Sequence, residues 1–161
     1  MQGDPQVIDY LNRVLKNELT AINQYFTHAK MTEHWGLTQL ASATRSESIE
    51  EMHHADWLMD RILFLEGVPA MQELGRLRIG ETVEEQLRAD LELEKEALPL
   101  LREAAAYCRS QGDDASKALF QRILDDEEAH VDFLETQLGL IEQVGLANYL
   151  QTQMASAADG G

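Results

Sequence analysis

Positions 47–54 have the sequence Glu-Ser-Ile-Glu-Glu-Met-His-His, and this stretch gives the clearest indication of the fold. It contains two overlapping pairs of a glutamate and a histidine three residues apart, a spacing that places both side chains on one face of a helix. The pair Glu51 and His54 falls on the apolar stripe that Leu58 continues. We therefore predict that these two side chains point inward, and that the pair one residue earlier points elsewhere.

A second pair of the same kind, Glu127 and His130, lies on the apolar stripe of a later helical segment. Two further segments each carry a single glutamate, Glu18 and Glu94, on their apolar stripes. A glutamate from each of two helices, together with a glutamate–histidine pair from each of two others, is the ligand set of a di-metal carboxylate site inside a four-helix bundle. The sequence therefore predicts that the four segments meet around two metal ions.

The charges of these side chains support that prediction. No lysine or arginine falls on the four inward stripes. Two like charges ~4 Å apart repel by about 4 kcal/mol at an effective dielectric constant near 20. Two divalent cations would balance the four carboxylates, and mixed carboxylate and imidazole ligands favour iron or manganese, of which we expect iron. Each motif alone is more often a solvated pair or a residue at the edge of a core, and only the joint pattern favours the metal site.

Apolar periodicity along the chain predicts an all-α fold, with four long helices, a short fifth C-terminal helix and a polar tail. The segment from Gly67 to Gly80 lacks this period and is too long for a tight turn. A single long crossover after two helices is the connectivity of a ferritin-like four-helix bundle. The predicted helices are about 5–34, 37–66, 83–111, 114–144 and 146–154, within one domain spanning 1–161, and the tail is 155–161.

Composition limits the classes of partner. The 161 residues carry a net charge of −16, which disfavours nucleic-acid binding and suits the attraction of cations. The single cysteine, Cys108, forms no internal disulfide and is expected in the core. Because we find no signal-peptide pattern at the first residues and no apolar run of ~20 residues, we expect a cytoplasmic protein with no membrane partner.

The sequence resembles the bacterioferritins over nearly its whole length. The matching stretches are 1–4, 17–19, 21–26, 47–52, 54–56, 61–67, 126–128 with His130, and 134–138. The resemblance implies a hollow cage of twenty-four identical subunits, built from dimers, with a di-iron centre in each bundle. It implies oxidation of Fe²⁺ by O₂ or peroxide and storage of ferric mineral in the cavity. The implied ligands are Glu18, Glu51, His54, Glu94, Glu127 and His130. Among them, we predict that Glu51 and Glu127 bridge the two metal ions, that the other two glutamates are terminal ligands, and that each histidine completes one metal position.

The resemblance also implies haem b shared between two subunits, with Met52 of each subunit as an axial ligand. Met52 is rotated by about 100° from Glu51 around the helix and so faces away from the bundle centre. Periodicity alone favours a plainer interpretation, an apolar dimer contact with Ile49 and Met59 on the same side. A haem in this position would pass electrons inward for iron release, with a ferredoxin as a possible electron donor.

Several other residues are candidates for supporting roles. Tyr25, Glu47 and Glu50 are predicted near the ligands; for Tyr25, a second-shell role and a core tyrosine remain equal alternatives. Asp90 and Asp126 are weaker candidates for orienting a ligand. The remaining histidines are expected at the surface and the tryptophans in packing or interface positions: His28, His34, His53, Trp35 and Trp57.

Two positions depart from the bacterioferritin pattern. Ser46 stands where some relatives have a histidine proposed to bind iron on the inner surface, and Phe133 stands where some have tryptophan. Neither change affects the six expected ligands.

Three rival functions stay open at this stage. The first is a di-iron or di-manganese oxidase or peroxidase that acts on another substrate. The second is a DNA-protecting mini-cage, which the absence of Lys and Arg from the tail disfavours. The third is a purely structural bundle, which would tolerate the loss of Glu51 and Glu127.

Overall fold

The computed structural model describes residues 1–155, and these residues form five helices and no strand. This confirms the predicted all-α fold with a short fifth helix. The predicted tail lies outside the described residues, except for Ala155. The helices are α1 (Pro5–His34), α2 (Thr38–Phe64), α3 (Val83–Ser110), α4 (Asp114–Val144) and α5 (Leu146–Gln153).

Local signals set the ends of the helices. Asp4 caps α1 by accepting a hydrogen bond from the backbone N–H of Gln6 at 2.7 Å, and Pro5 occupies the first turn, where its missing N–H costs nothing. Thr82 caps α3 by accepting from the N–H of Glu85 at 3.2 Å. Gly36 follows α1 with φ at +86°, a conformation that glycine adopts without a steric penalty.

Two apolar clusters hold the bundle together, and the glutamates of the sequence pattern lie between them. The first cluster includes Leu15, Leu58 and Phe120, and the second includes Leu87 and Leu134. Burying one such side chain contributes about 1.5–3 kcal/mol. Because α2, α3 and α4 each contribute to both clusters on either side of their inward glutamate, the apolar packing fixes the carboxylates at one level of the bundle.

The crossover between α2 and α3 runs along α1 and is held there by side chains of that helix. Backbone N–H groups of the crossover donate to these side chains at distances between 2.8 and 3.0 Å. The donors are Ala70, Gly75, Arg78 and Gly80, and the acceptors are Asn12, Thr20, Gln24 and His28, respectively. The acceptors recur along one face of α1, so the crossover covers that face.

The prediction that His28 lies at the surface is wrong. Its side chain is 1% exposed, because the crossover covers the face of α1 on which it lies. The N–H of Gly80 donates to Nε2 at 3.0 Å, so the proton sits on Nδ1, which lies 2.9 Å from Asp90 Oδ1. His34 and His53 are exposed, as predicted.

Other packing predictions hold. Cys108 is buried in the first apolar cluster, as expected. Trp57 packs against the same cluster, and the guanidinium carbon of Arg122 lies 3.7 Å from the centre of its ring. Among residues 1–155, no helix is both long enough and apolar enough to cross a lipid bilayer.

Candidate metal centre

The four long helices bring six side chains of the sequence pattern together in the middle of the bundle. One helix, α1, supplies Glu18 and another, α3, supplies Glu94, while α2 and α4 each supply a glutamate and a histidine. All six are buried, with exposed fractions between 0% and 5%. They are Glu18, Glu51, His54, Glu94, Glu127 and His130.

These side chains form two groups that share two members. In each group, one ligand atom from every residue lies within 4.8 Å of the others. The first group is Glu18, Glu51, His54 and Glu127, and the second is Glu51, Glu94, Glu127 and His130. Each group therefore contains three carboxylates and one imidazole. Glu51 and Glu127 belong to both groups, which is the arrangement that two neighbouring metal positions with bridging carboxylates require.

Both imidazoles present Nδ1 to the carboxylates. The Nδ1 atom of His54 lies 3.0 Å from Glu127 Oε1, 3.4 Å from Glu51 Oε2 and 3.5 Å from Glu18 Oε2. The Nδ1 atom of His130 lies 3.3 Å from Glu94 Oε1. The ring nitrogen that faces the cluster is thus the same atom in both histidines, as expected if each completes one metal position.

Glu127 shows that the buried carboxylates lack partners of their own. Both of its carboxylate oxygens are buried without a hydrogen-bond partner; the nearby His54 Nδ1 is close but is not aligned for a hydrogen bond. Within residues 1–155, no lysine or arginine nitrogen lies within 4 Å of the four glutamates. A buried carboxylate without a partner costs several kcal/mol. The donor set therefore fits divalent cations.

A small cavity opens beside the carboxylates. Its volume is about 10 Å³, which is close to the space that one water-sized particle occupies. Glu18, Glu51, Glu94 and Glu127 line it together with Asn17 and small or apolar side chains. The cluster thus has space for an ion without rearrangement of the helices.

Burial and mutual repulsion govern the protonation of the metal-free cluster. Burial raises the pKa of Glu127 well above its ordinary value, and repulsion from Glu51 and Glu94 adds to the effect. Burial lowers the pKa of His130, but its hydrogen bond and attraction to Glu94 outweigh this and raise the pKa to about 9. At pH 7 the metal-free cluster therefore holds a proton on His130, and burial favours a second proton on Glu127.

We expect metal binding to release these protons. Each metal ion needs the lone pair that a proton occupies in the free protein, so binding at pH 7 should release about one to two protons per chain. Metal affinity should consequently rise with pH until the solution is above the pKa of His130, about 9, where this side chain has lost its proton in the free protein. Calorimetric titration with Zn²⁺ in two buffers of different ionisation enthalpy measures the release. Equal heats in both buffers would contradict this prediction.

Further side chains contact the six. The hydroxyl of Tyr25 donates a hydrogen bond to Glu94, so of the two alternatives for this residue the structure supports the contact with a ligand candidate. Burial is the main cause that raises the pKa of Tyr25, so the phenol stays protonated. Glu47 Oε2 lies 3.7 Å from His130 Nδ1, and burial raises the pKa of Glu47 to about 7.

The two aspartates considered from the sequence as residues that orient a ligand have different contacts. Asp126 Oδ2 lies 2.8 Å from His54 Nε2, on the side of the ring opposite the cluster, and Glu50 is close to both residues. Asp90 instead bonds to Gln24 and His28, away from the six side chains, so the expectation that it orients a ligand is wrong.

An aromatic ring lies close to each histidine of the cluster, and the helical period indicates these neighbours only in part. The ring of Trp57, three residues after His54, lies 5.4 Å from the His54 ring, although only a packing or interface role was predicted for it. Phe133, three residues after His130, stacks near that ring with centroids 6.3 Å apart. Spacing places such neighbours on the right side of each helix, but it does not specify a contact.

Met52 lies outside the cluster. Its side chain is 55% exposed on the outward face of α2, and Ile49, one turn earlier, is 45% exposed. The adjoining face of α1 carries Phe26, which is 46% exposed and lies under the guanidinium of Arg45. The outward direction expected for Met52 is thus observed, within an exposed apolar strip formed by Phe26, Ile49 and Met52.

Comparisons with known proteins agree with this architecture. Residues 8–144 match the family model described as a ferritin-like domain. The chain is 53% identical to a bacterioferritin of Streptomyces coelicolor over 94% of this chain and 91% of the relative. It is 51% identical to a bacterioferritin of Mycolicibacterium paratuberculosis over 92% and 94% of the two chains, and 53% identical to one of Rhodobacter capsulatus over 90% of each.

Proposed function

The chain belongs to the bacterioferritins, a family with a ferritin-like domain, and on this premise we propose that it stores iron and oxidises Fe²⁺ within each four-helix bundle. The observation that carries the proposal is the pair of ligand groups that share Glu51 and Glu127. A single-metal site would need only one group. Two overlapping groups provide for two ions held close enough to react with one oxidant molecule.

The residues then take distinct roles toward the substrate Fe²⁺. Glu51 and Glu127 bridge the two positions, because each belongs to both groups. Glu18 and Glu94 are terminal carboxylates, one at each position. His54 and His130 complete the two positions through Nδ1. A bound pair of Fe²⁺ ions supplies two electrons to O₂ or peroxide, and the oxidised iron leaves as ferric mineral.

Charge supports iron uptake by this centre. The net charge of −16 attracts cations over the whole surface. The four buried carboxylates, without lysine or arginine partners in residues 1–155, then provide a local site that favours positive charge. We propose that twenty-four chains assemble from dimers into a cage whose cavity holds the mineral, as in the family to which the chain belongs.

We further propose that Met52 binds haem b between two chains. A thioether sulfur is a suitable axial ligand for haem iron, and methionine ligation raises the reduction potential of haem. The exposed apolar strip of Phe26, Ile49 and Met52 fits the apolar body of the macrocycle, and it includes the sulfur of Met52. A haem in this position would relay electrons, for example from a ferredoxin, to reduce and release stored iron.

Size-exclusion chromatography after aerobic addition of Fe²⁺ tests the function. We expect iron and the Soret absorption of haem to co-elute with a particle far larger than a dimer. The iron content should reach many ions per chain, more than the two that the centre can hold. A dimer-sized peak with about two metal ions per chain would contradict storage and point to the rival di-iron or di-manganese oxidase or peroxidase.

A further inference from the structure

The two histidines of the cluster differ in their surroundings, because carboxylates lie beside both ring nitrogens of His54. Its Nδ1 faces the cluster, and its Nε2 lies 2.8 Å from Asp126 Oδ2. His130 also presents Nδ1 to the cluster. In residues 1–155, however, no protein group forms a hydrogen bond with Nε2 of His130.

The bond to Asp126 matters because a neutral imidazole carries a single proton. If that proton is on Nδ1, the lone pair points at Asp126 and the cluster-facing nitrogen cannot bind a metal ion. A carboxylate accepts hydrogen bonds and, when ionised, donates none. Asp126 therefore favours the tautomer with the proton on Nε2, which leaves the Nδ1 lone pair free toward Glu51 and Glu127.

The position of Asp126 suits this role. It lies on α4 one residue before Glu127, so the same helix supplies both the cluster carboxylate and the group behind the imidazole of α2. His54 is fully buried, while the side chain of Asp126 is 34% exposed. Its backbone is set by α4, and its carboxylate reaches Nε2, the ring nitrogen of His54 that does not face the cluster.

We propose that Asp126 is a positioning residue that fixes the tautomer and orientation of His54 and thereby strengthens one of the two metal positions. This inference rests on the proposed function only in that His54 must be a metal ligand. It assigns no ligand role to Asp126 itself. Among residues 1–155, no equivalent group lies behind His130, so the two positions should respond differently when Asp126 is changed.

The variant Asp126→Asn tests the proposal with Co²⁺ as the probe. Asparagine keeps the shape but removes the charge, and its amide can donate to Nε2 and so favour the wrong tautomer. We expect one of two Co²⁺ ions per chain to bind about 10–100-fold more weakly, and the other to bind as in the wild-type protein. Titrations followed by calorimetry and by the visible absorption of Co²⁺ resolve the two ions.

The neighbouring variant Asp125→Asn is the matched control. Asp125 is exposed, accepts a hydrogen bond from Gln121 at 2.9 Å and does not contact His54. The Asp125→Asn substitution removes the same charge from the same helix, so the two Co²⁺ affinities of this variant should match those of the wild-type protein. An equal loss in Asp125→Asn, or a loss at both positions in Asp126→Asn, would overturn the proposal in favour of a general charge or folding effect.

A double-mutant cycle makes the test independent of how well the ions are resolved. In a His54→Ala background, Asp126→Asn should have no further effect on Co²⁺ binding, because the group it orients is gone. A persistent effect in this background would overturn the positioning role. So would the loss of a third Co²⁺ ion bound by Asp126 itself, with unchanged affinity for the first two.

The wild-type protein separates this inference from the proposed function. If it binds no pair of Co²⁺ ions, the proposed metal centre fails as well. If it binds two ions and Asp126→Asn binds them equally, only the present inference fails.

Discussion

Replacing Glu127 with glutamine should lower the initial rate of Fe²⁺ oxidation by at least about 100-fold, more than the 10–100-fold loss typical of outer-shell substitutions. Glu127 belongs to both ligand groups, so the substitution removes a negative charge that both proposed metal positions share. Glutamine keeps the volume of the side chain, so packing is preserved. The rate is measured by the rise of ferric absorbance after mixing the metal-free protein with Fe²⁺ in air.

The folded state should survive this substitution. Burial keeps the pKa of Glu127 well above its ordinary value and so favours the neutral form of this side chain in the metal-free protein. Glutamine resembles that neutral acid in size and charge. The metal-free variant should therefore unfold at a temperature no lower than that of the wild-type protein. A loss of iron oxidation together with intact folding assigns the effect to the metal positions.

Glu128→Gln is the matched control for Glu127→Gln. The side chain of Glu128 is 52% exposed and pairs with Arg102 at 3.1 Å, so it lies next to Glu127 in sequence but outside the cluster. An exposed ion pair contributes at most about 1 kcal/mol. Iron oxidation by this variant should match the wild-type rate. If the Glu127→Gln variant oxidised Fe²⁺ at the same rate as the wild-type protein, the cluster would not be the site of oxidation. That result would favour the rival in which the bundle is purely structural.

Replacing Met52 with leucine should reduce the haem content to background. Leucine keeps the exposed apolar surface but removes the sulfur. If haem binds between two symmetry-related chains as proposed, the substitution removes the Met52 sulfur of both chains from it. Since the strip of Phe26, Ile49 and Met52 contributes only apolar contact, it cannot replace the bonds to iron. The haem per chain is measured from the Soret absorbance of protein purified from haem-supplemented cells.

Met71→Leu provides the comparison for the haem variant. Met71 is 44% exposed on the crossover, so the substitution removes a thioether of similar exposure from another surface. Its haem content should equal that of the wild-type protein. If Met52→Leu retains haem but changes the proportion of dimers, the plainer interpretation from periodicity, an apolar dimer contact, would replace the haem proposal.

Most of the fold follows from local sequence signals. The predicted ends of the five helices fall within two residues of the observed ones, because caps and glycines act on the residues beside them. The 3.6-residue period also identifies the inward glutamates and separates Glu51 and His54 from the exposed His53. Each of these inferences needs a single helix and no knowledge of its neighbours.

Contacts between helices needed the tertiary structure. The period of α1 gives the direction of His28 but does not reveal that the crossover covers that face, and so its burial was missed. Likewise, the spacings within α3 and α4 cannot tell whether Asp90 of α3 or Asp126 of α4 reaches a histidine of the cluster. That outcome depends on how far apart two helix axes lie and how they are rotated.

Helical periodicity and apolar patterning are properties of single segments, and they were enough to identify the six inward side chains and to predict that Glu51 and Glu127 bridge two metal ions. The tertiary structure was needed to show that each of these two glutamates lies close to both histidines of the cluster and that Asp126 lies behind His54. The physical reason is that a shared ligand or a bond across the bundle is a distance between atoms on different helices. Packing of the two apolar clusters sets that distance, and no pattern within one helix contains it.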